Sequence, residues 1–332
     1  MGSSAAPPIS QTSVEAYRIP TDKLESDGTL EWDHTTLVLV QLRAGSCCGL
    51  GYTYSSRAAA ALIHDTLLPV VAGSDPTAIE RLWERMVGAI RNLGRPGNFI
   101  DGDFGRGFDI VGSVKARLLN IPLATLLGQV RDEVPIYGSG GFRSYDEREL
   151  CDQLCGWAAQ GIRRVKMKIG RDPSRDEARV RVVRQALGPE IKLFVDANGG
   201  LYPQAGARLF SRFAALDVRW FEEPVSSDDL EGLRLLRDHA PARIDIAAGE
   251  YGFNLGYFHR MLDAGAVDVV QADATRCAGI TGFRKEAVLC EAQSLPMSGH
   301  CALTPCASGL RNIAAPSHRV FSRPCPHREQ VL

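Results

Sequence analysis

The sequence predicts an α/β protein, a closed parallel barrel preceded by a segment of α+β character. Three observations predict it. From Val134 onward, seven strand-like stretches recur at near-regular spacing with helix-length segments between them. An open doubly wound sheet usually carries a phosphate loop after its first strand, and "GSGGF" at Gly138–Phe142 lacks the GxGxxG spacing. Charged residues collect at the C-terminal ends of the seven stretches, where a parallel barrel builds its active site.

The elements follow in order. Residues 1–13 have neither the basic start nor the apolar core of a signal peptide and read as a disordered tail. "AYRIP" and "TTLVLVQLRAG" read as strands, separated by a polar, acidic loop from Thr21 to His34. Helical patterns cover Ser56–Val71 and Pro76–Asn92, then a glycine-rich stretch from Gly94 to Gly112, then "SVKARLL", helical again. Residues 14–129 form this α+β unit, and the barrel unit is expected over 130–322. Its strands read "VPIYGSGG", "RRVKMKIG", "IKLFVDANGG", "VRWFEEPV", "RIDIAAGE", "AVDVVQADAT" and "LPMSGHCA". Helices are expected over Asp146–Ala159, Arg175–Leu187, Gln204–Leu216, Asp229–His239, Leu255–Ala264 and Gly282–Ser294. Residues 323–332 are an atypical tail.

"RRVKMKIG" puts Lys166 and Lys168 on one face of a strand whose surroundings call for burial on both faces. The neighbouring strand ends carry the negative partners: Asp196 and Asn198 on strand three, Glu222 and Glu223 on strand four, Glu250 on strand five. A single acid there could cap a helix or pair with a lysine. Three in register repel one another, and a hard divalent cation removes the conflict. Asp196, Glu222 and Glu250 offer only oxygen ligands, which favours Mg²⁺ over Zn²⁺. Lys168 faces the same centre, and a nearby cation is expected to lower its pKa toward that of a general base. Lys166 is placed to hold a substrate carboxylate. Asp273 on strand six and His300 on strand seven are expected to form a dyad in which the aspartate sets the imidazole tautomer and raises its basicity. A base on strand two and another on strand seven permit removal of the α-proton of a carboxylate from either face, through a metal-stabilised enediolate.

The ordered series "VKMKIG", "FVDANGG", "WFEEPV", "AAGEYGF", "VVQADATRCAGITGF" and "SGHCA" resembles the enolase superfamily, in its mandelate racemase-like subgroup. The resemblance is close over Ile136–Cys301 and looser over Val14–Gln129. It implies a modified TIM barrel, (β/α)7β, closed by an N-terminal α+β capping domain. It also implies Mg²⁺ on Asp196, Glu222 and Glu250, Lys168 as base, and the His300–Asp273 dyad as base or acid. The related muconate cycloisomerase-like subgroup carries its second base, a lysine, on strand six, where this chain has Asp273. Capping-domain loops set substrate choice in the family. Here these would be Thr21–Trp32 and Cys48–Tyr54, with Tyr52, Thr53 and Tyr54 as substrate contacts. Asn198 and Glu223 would support the site. Two stretches depart from the pattern. Gly102–Gly112 replaces a usual helix, and no Asp or Glu occurs between Cys301 and Arg328, where relatives carry an acid on the last barrel strand. "HRVFS" is the candidate last strand, and an altered or truncated C-terminus is expected to weaken barrel closure.

The expected activity is dehydration of an acid sugar, with racemisation, epimerisation or cycloisomerisation of a hydroxy acid as alternatives on the same residues. An inactive homologue with a damaged C-terminus is the alternative of another class. A Schiff-base aldolase on Lys168 would not need three acids. With 332 residues, 45% of them hydrophobic, 23% charged and a net charge of −1, nothing favours nucleic acid or a membrane surface as partner. Nine scattered cysteines with no CxxC pair suit reduced thiols and a cytoplasmic location. A small carboxylate substrate and a homo-oligomer are the expected partners.

Overall fold

The computed structural model describes residues 6–93 and 109–300. Three antiparallel strands come first: β1 (Ile9–Ser26), β2 (Glu31–Ala44) and β3 (Cys47–Tyr54), in the order β1-β2-β3. Two expectations are corrected here. The tail read over residues 1–13 already contains the start of β1. Ile9 is buried, its N–H donates to the Ser74 carbonyl at 2.9 Å, and its own carbonyl accepts from Gly73 at 2.8 Å. The loop read over Thr21–His34 is mostly strand, and only Asp27–Leu30 turns. Asp27 Oδ1 closes that turn by accepting from the backbone N–H groups of Thr29 and Leu30, both at 2.7 Å. Both errors have one cause. Much of this hairpin is exposed, so its residues show no apolar alternation, while ladder hydrogen bonds need no apolar side chain.

One face of this sheet is buried by helices. The first is α1 (Arg57–Leu62), which runs through a π-turn (Ile63–Leu67) into α2 (Leu68–Val71). Then come α3 (Ile79–Ile90) and α4 (Asp109–Leu118), followed by the short α5 (Leu123–Leu126). Val38, Val40 and Leu42 of β2 meet Leu67, Leu82, Met86 and Val114 in one apolar cluster. A Cβ on Gly49 would lie 2.5 Å from a methyl of Val114, so only glycine lets α4 close on β3.

The second sheet has seven parallel strands: β4 (Gly138–Gly140), β5 (Arg164–Lys168), β6 (Lys192–Asp196), β7 (Val218–Glu222), β8 (Asp245–Ala248), β9 (Val269–Asp273) and β10 (Met297–His300). Each pairs with its predecessor, giving a curled sheet with β4 and β10 as its edges among the described residues. Six helices connect them: α6 (Glu147–Ala159), α7 (Pro173–Leu187), α8 (Pro203–Ala215), α9 (Leu230–His239), α10 (Leu255–Asp263) and α11 (Gly279–Ala292). All seven strands and six connecting helices were legible in the pattern. Asp146 caps α6 through a capping box with Glu149, which is why that helix begins where it does.

The parity of "RRVKMKIG" is settled by packing. Val165 and Met167 join the large apolar cluster beneath the helices, and Lys166 and Lys168 point to the concave side. Below the charged rim that side is filled by Phe194, Trp220, Ala247 and Val269, with Tyr137 packed against them. The last-strand candidate "HRVFS", the acid-free stretch after Cys301 and the tail at 323–332 lie outside the described residues, as does the glycine-rich stretch up to residue 108. No described helix is long and apolar enough to cross a membrane.

The capping hairpin sits directly on the barrel rim. A Cβ on Gly28 would lie 2.0 Å from the Ala197 carbonyl oxygen and 2.9 Å from that of Ile169, so the turn wedges against the ends of β5 and β6. Around it, Arg143 N–H donates to the Ser26 carbonyl at 2.7 Å, Arg171 pairs with Glu31 at 2.8 Å, and Trp32 meets Phe142 edge-to-face.

Candidate active site

Register assembles the site. Lys168 is the Cα partner of Asp196, Asp196 of Glu222, and Asp273 of His300. Parallel strands in register present equivalent side chains at one height, so the functional groups form a rim. Asp196, Glu222 and Glu250 are all buried, and one oxygen from each lies within 4.8 Å of the others.

Two ammonium groups reach into this cluster. Lys166, fully buried, pairs with Glu222 and lies 3.0 Å from Asp196. Lys168 lies 2.5 Å from the same Asp196 oxygen and donates to Asn198 Oδ1 at 2.8 Å. Burial works against both ammonium charges, but the carboxylates outweigh it, so both pKa values are raised, that of Lys166 well above its usual value. The lowering expected for Lys168 supposes a cation beside it, and these are the shifts set by the protein's own charges alone. Among the protein's own charges Asp196 dominates, and the sign reverses only if a cation takes up that negative charge.

Lys166 and Lys168 answer Asp196 and Glu222, and His300 answers Glu250, yet with Glu223 and Asp273 the buried acids here outnumber the cations. Glu222 shows it most: burial, with the charge of Asp196, pushes its carboxyl up to about 7. Burial and Glu250 push Glu223 well above the carboxylate range, and its Oε1 is buried without a partner among the described residues. A divalent cation at the three oxygens would supply the missing charge. An all-oxygen donor set of this size suits Mg²⁺, so the residues fit the ion.

His300 bridges two acids. Its Nδ1 lies 2.9 Å from Asp273 and its Nε2 2.7 Å from Glu250. Burial disfavours the imidazolium, yet Glu250 and Asp273 overcome it and raise the pKa to about 9. Asp273 Oδ1 also accepts from Thr275 N–H at 2.6 Å, which fixes the carboxylate. Burial is outweighed there too, and the bond to His300 lowers its pKa.

Asn198 ties the two halves together: its Nδ2 donates to Glu250 Oε1 at 3.1 Å while its Oδ1 holds Lys168. Four residues escaped the sequence reading. Trp220 Nε1 and Gln271 Nε2 each donate to Glu222 Oε2 at 3.0 Å and orient it. Tyr251 and Arg276 line the β8 and β9 ends. Parity held a signal for the first pair, since Trp220 lies two residues before Glu222 and Gln271 two before Asp273, on the same strand face.

Tyr52, Thr53 and Tyr54 are not loop residues but the end of β3. They cannot act as one contact group, because strand parity sends Thr53 to the opposite face from the two tyrosines. Thr53 is 1% exposed and sits opposite Val38 of the helix-covered face. Tyr52 and Tyr54 meet edge-to-face with centroids 6.1 Å apart.

A curled parallel sheet with buried acids on three adjacent strands, flanked by lysines and a histidine–aspartate pair, defines a metal-assisted acid–base site. Comparison with known proteins agrees. Residues 148–323 match the sequence model of the family described as "Enolase C-terminal domain-like". The chain is 31% identical over 304 residues to the 3,6-anhydro-alpha-L-galactonate cycloisomerase of Streptomyces coelicolor, covering 88% of this chain and 82% of that protein. It is 31% identical to the L-talarate/galactarate dehydratase of Salmonella typhimurium, covering 77% of this chain and 65% of that one. The structure of that dehydratase, liganded with Mg and L-lyxarohydroxamate, superposes with a TM-score of 0.83 over 91% of this chain and 80% of that one, at 25% identity. A mandelate racemase/muconate lactonizing enzyme-like protein from Rubrobacter xylanophilus superposes with a TM-score of 0.86 at 46% identity, over 89% of this chain and 82% of that one. The chain belongs to the enolase superfamily, among its mandelate racemase/muconate lactonizing enzyme-like members.

Proposed function

We propose that this protein removes the α-proton of a small carboxylate substrate with Mg²⁺ as cofactor, and that its reaction is the dehydration of an acid sugar. The observation that carries this reading is the register that aligns three buried carboxylates between Lys168 and His300. Asp196, Glu222 and Glu250 hold the ion, oriented by Lys166, Trp220 and Gln271. When bound, Mg²⁺ supplies Lewis-acid stabilisation of the negative charge that builds on the carboxylate as the α-proton leaves.

The residues divide the proton work by charge state. Lys168 takes the α-proton, which requires its neutral amine. His300, held through Nδ1 by Asp273, gives its proton to the departing β-hydroxyl. Without a β-leaving group the same two bases racemise or epimerise. Cycloisomerisation is a second reading, favoured by the likeness to the Streptomyces coelicolor cycloisomerase. The proposal carries with it a cytoplasmic homo-oligomer.

The test is a screen of acid sugars and hydroxy acids with Mg²⁺ in D₂O, read for keto-acid formation and for α-deuterium exchange. Keto acid with an acid sugar is the expected outcome. Lys168→Met should lower kcat by about 10³-fold or more, and His300→Asn should abolish dehydration. Exchange without keto acid would favour the racemase. Mg²⁺-dependent thermal stabilisation without exchange on any carboxylate would point to an inactive homologue.

A further inference from the structure

Asn198 adopts a left-handed backbone, φ 44°, that residues other than glycine rarely enter. Its N–H donates to Asp196 Oδ1 at 2.9 Å. Its carboxamide is fully engaged. Oδ1 accepts from Lys168 at 2.8 Å, and Nδ2 donates to Glu250 Oε1 at 3.1 Å and to the Tyr251 hydroxyl at 3.3 Å. The amide can face only one way, because turning it over would set NH₂ against the Lys168 ammonium and a carbonyl against Glu250.

Tyr251 is itself braced. The Arg276 guanidinium carbon lies 4.8 Å from its ring centroid, and Arg276 Nη1 donates to the Glu250 backbone carbonyl at 3.2 Å. A guanidinium stacked on a ring and bonded to the adjacent carbonyl fixes the ring plane. Of the two acceptors that Asn198 Nδ2 uses, Glu250 is a proposed metal ligand whose oxygens answer to the ion. Tyr251 is not one of the three proposed ligands, so its hold on the amide does not pass through them.

We propose that Tyr251, braced by Arg276, is a positioning residue for Lys168. It fixes the Asn198 carboxamide, and that carboxamide holds the lysine amine in the site. The inference rests on reading Lys168 as the base, so its test has one readout that needs no activity.

That readout is acetylation of the Mg²⁺-loaded protein by acetic anhydride, mapped by peptide mass, in wild type, Tyr251→Phe and Arg276→Lys. Tyr251→Phe keeps the stacked ring and loses only the hydroxyl. Lys168 should label about fivefold faster in it, the effect of one lost hydrogen bond, while the fully buried Lys166 stays unlabelled as the internal control. Arg276→Lys should act in the same direction to a smaller extent. The second readout is face-specific α-deuterium exchange with a pair of α-epimers. Exchange from the epimer whose proton meets Lys168 should fall about tenfold in Tyr251→Phe, and exchange on the His300 face should stay within about twofold of wild type. A residue that merely stabilises the fold would lower both. Equal Lys168 labelling in wild type and Tyr251→Phe overturns the inference, as does an equal fall on both faces. Faster labelling with no exchange in the wild type removes the proposed function and leaves the positioning role standing.

Discussion

Glu286 is a buried acid that the proposed chemistry does not use. It lies on α11, fully buried, and neither carboxyl oxygen has a hydrogen-bond partner of normal geometry among the described residues. Burial pushes the carboxyl up to about 8, offset only in part by the weak thiol donor of Cys277, and Cys290 beside it is itself pushed up to about 12. The consequence for stability has a definite sign. A carboxyl whose folded pKa exceeds its ordinary 4.5 contributes its full share below pH 4.5 and loses it as pH rises through about 8. The loss has a ceiling on the order of 5 kcal/mol. Glu286→Gln should therefore match wild type near pH 4.5 and be the more stable protein at pH 9. Urea unfolding of both across this range checks it, and a difference that does not vary with pH would sink the argument.

At the scale of elements, α3 and α11 meet across the two sheets' territories. Trp83 Nε1 donates to the Ala278 carbonyl at 3.1 Å, and Lys285 Nζ stands 3.6 Å from the Trp83 ring centroid. Lys285 also lies 3.7 Å from Glu80 and 3.9 Å from Glu84. Ala278 holds φ 66°, a strained turn into α11 that the indole bond helps to keep. Trp83→Phe removes the donor and weakens the cation–π contact, with an expected cost of about 1–2 kcal/mol. Denaturant midpoints of the two proteins measure it. Elements such as these were legible where their two faces meet different surroundings. The alternation of "RVKMK" sets an apolar face under the helices against a charged face in the site, and the spacing of the connecting helices follows from one face meeting the core. The exposed hairpin extension of β1 and β2 was not legible, because backbone pairing alone leaves no side-chain period.

For the whole molecule the important joint is between the capping hairpin and the barrel rim. Gly28 has no room for a methyl group against Ala197 and Ile169, and those residues end the strands that carry Asp196 and Lys168. Gly28→Ala should force the hairpin off the rim, lower stability by about 2–3 kcal/mol and weaken Mg²⁺ binding. Unfolding midpoints with and without Mg²⁺ read both effects. Wild type at 100 times its Mg²⁺ dissociation constant should gain about 2.7 kcal/mol, and the variant less at the same concentration.

By itself, the sequence determined the class of fold and the identity of the charged rim. Both are encoded locally: strand period, helix length, and acids placed at the ends of successive strands. The tertiary structure alone decided how those charges interact. It set Lys168 against Asp196, placed His300 between Asp273 and Glu250, and sent Thr53 to the face opposite Tyr52 and Tyr54. It also brought in Trp220, Gln271, Tyr251 and Arg276, which the motif left unmarked. The reason is physical. Which residues a chain carries and their period are properties of the string, whereas a pKa or a contact depends on distances of a few ångströms between residues far apart in it.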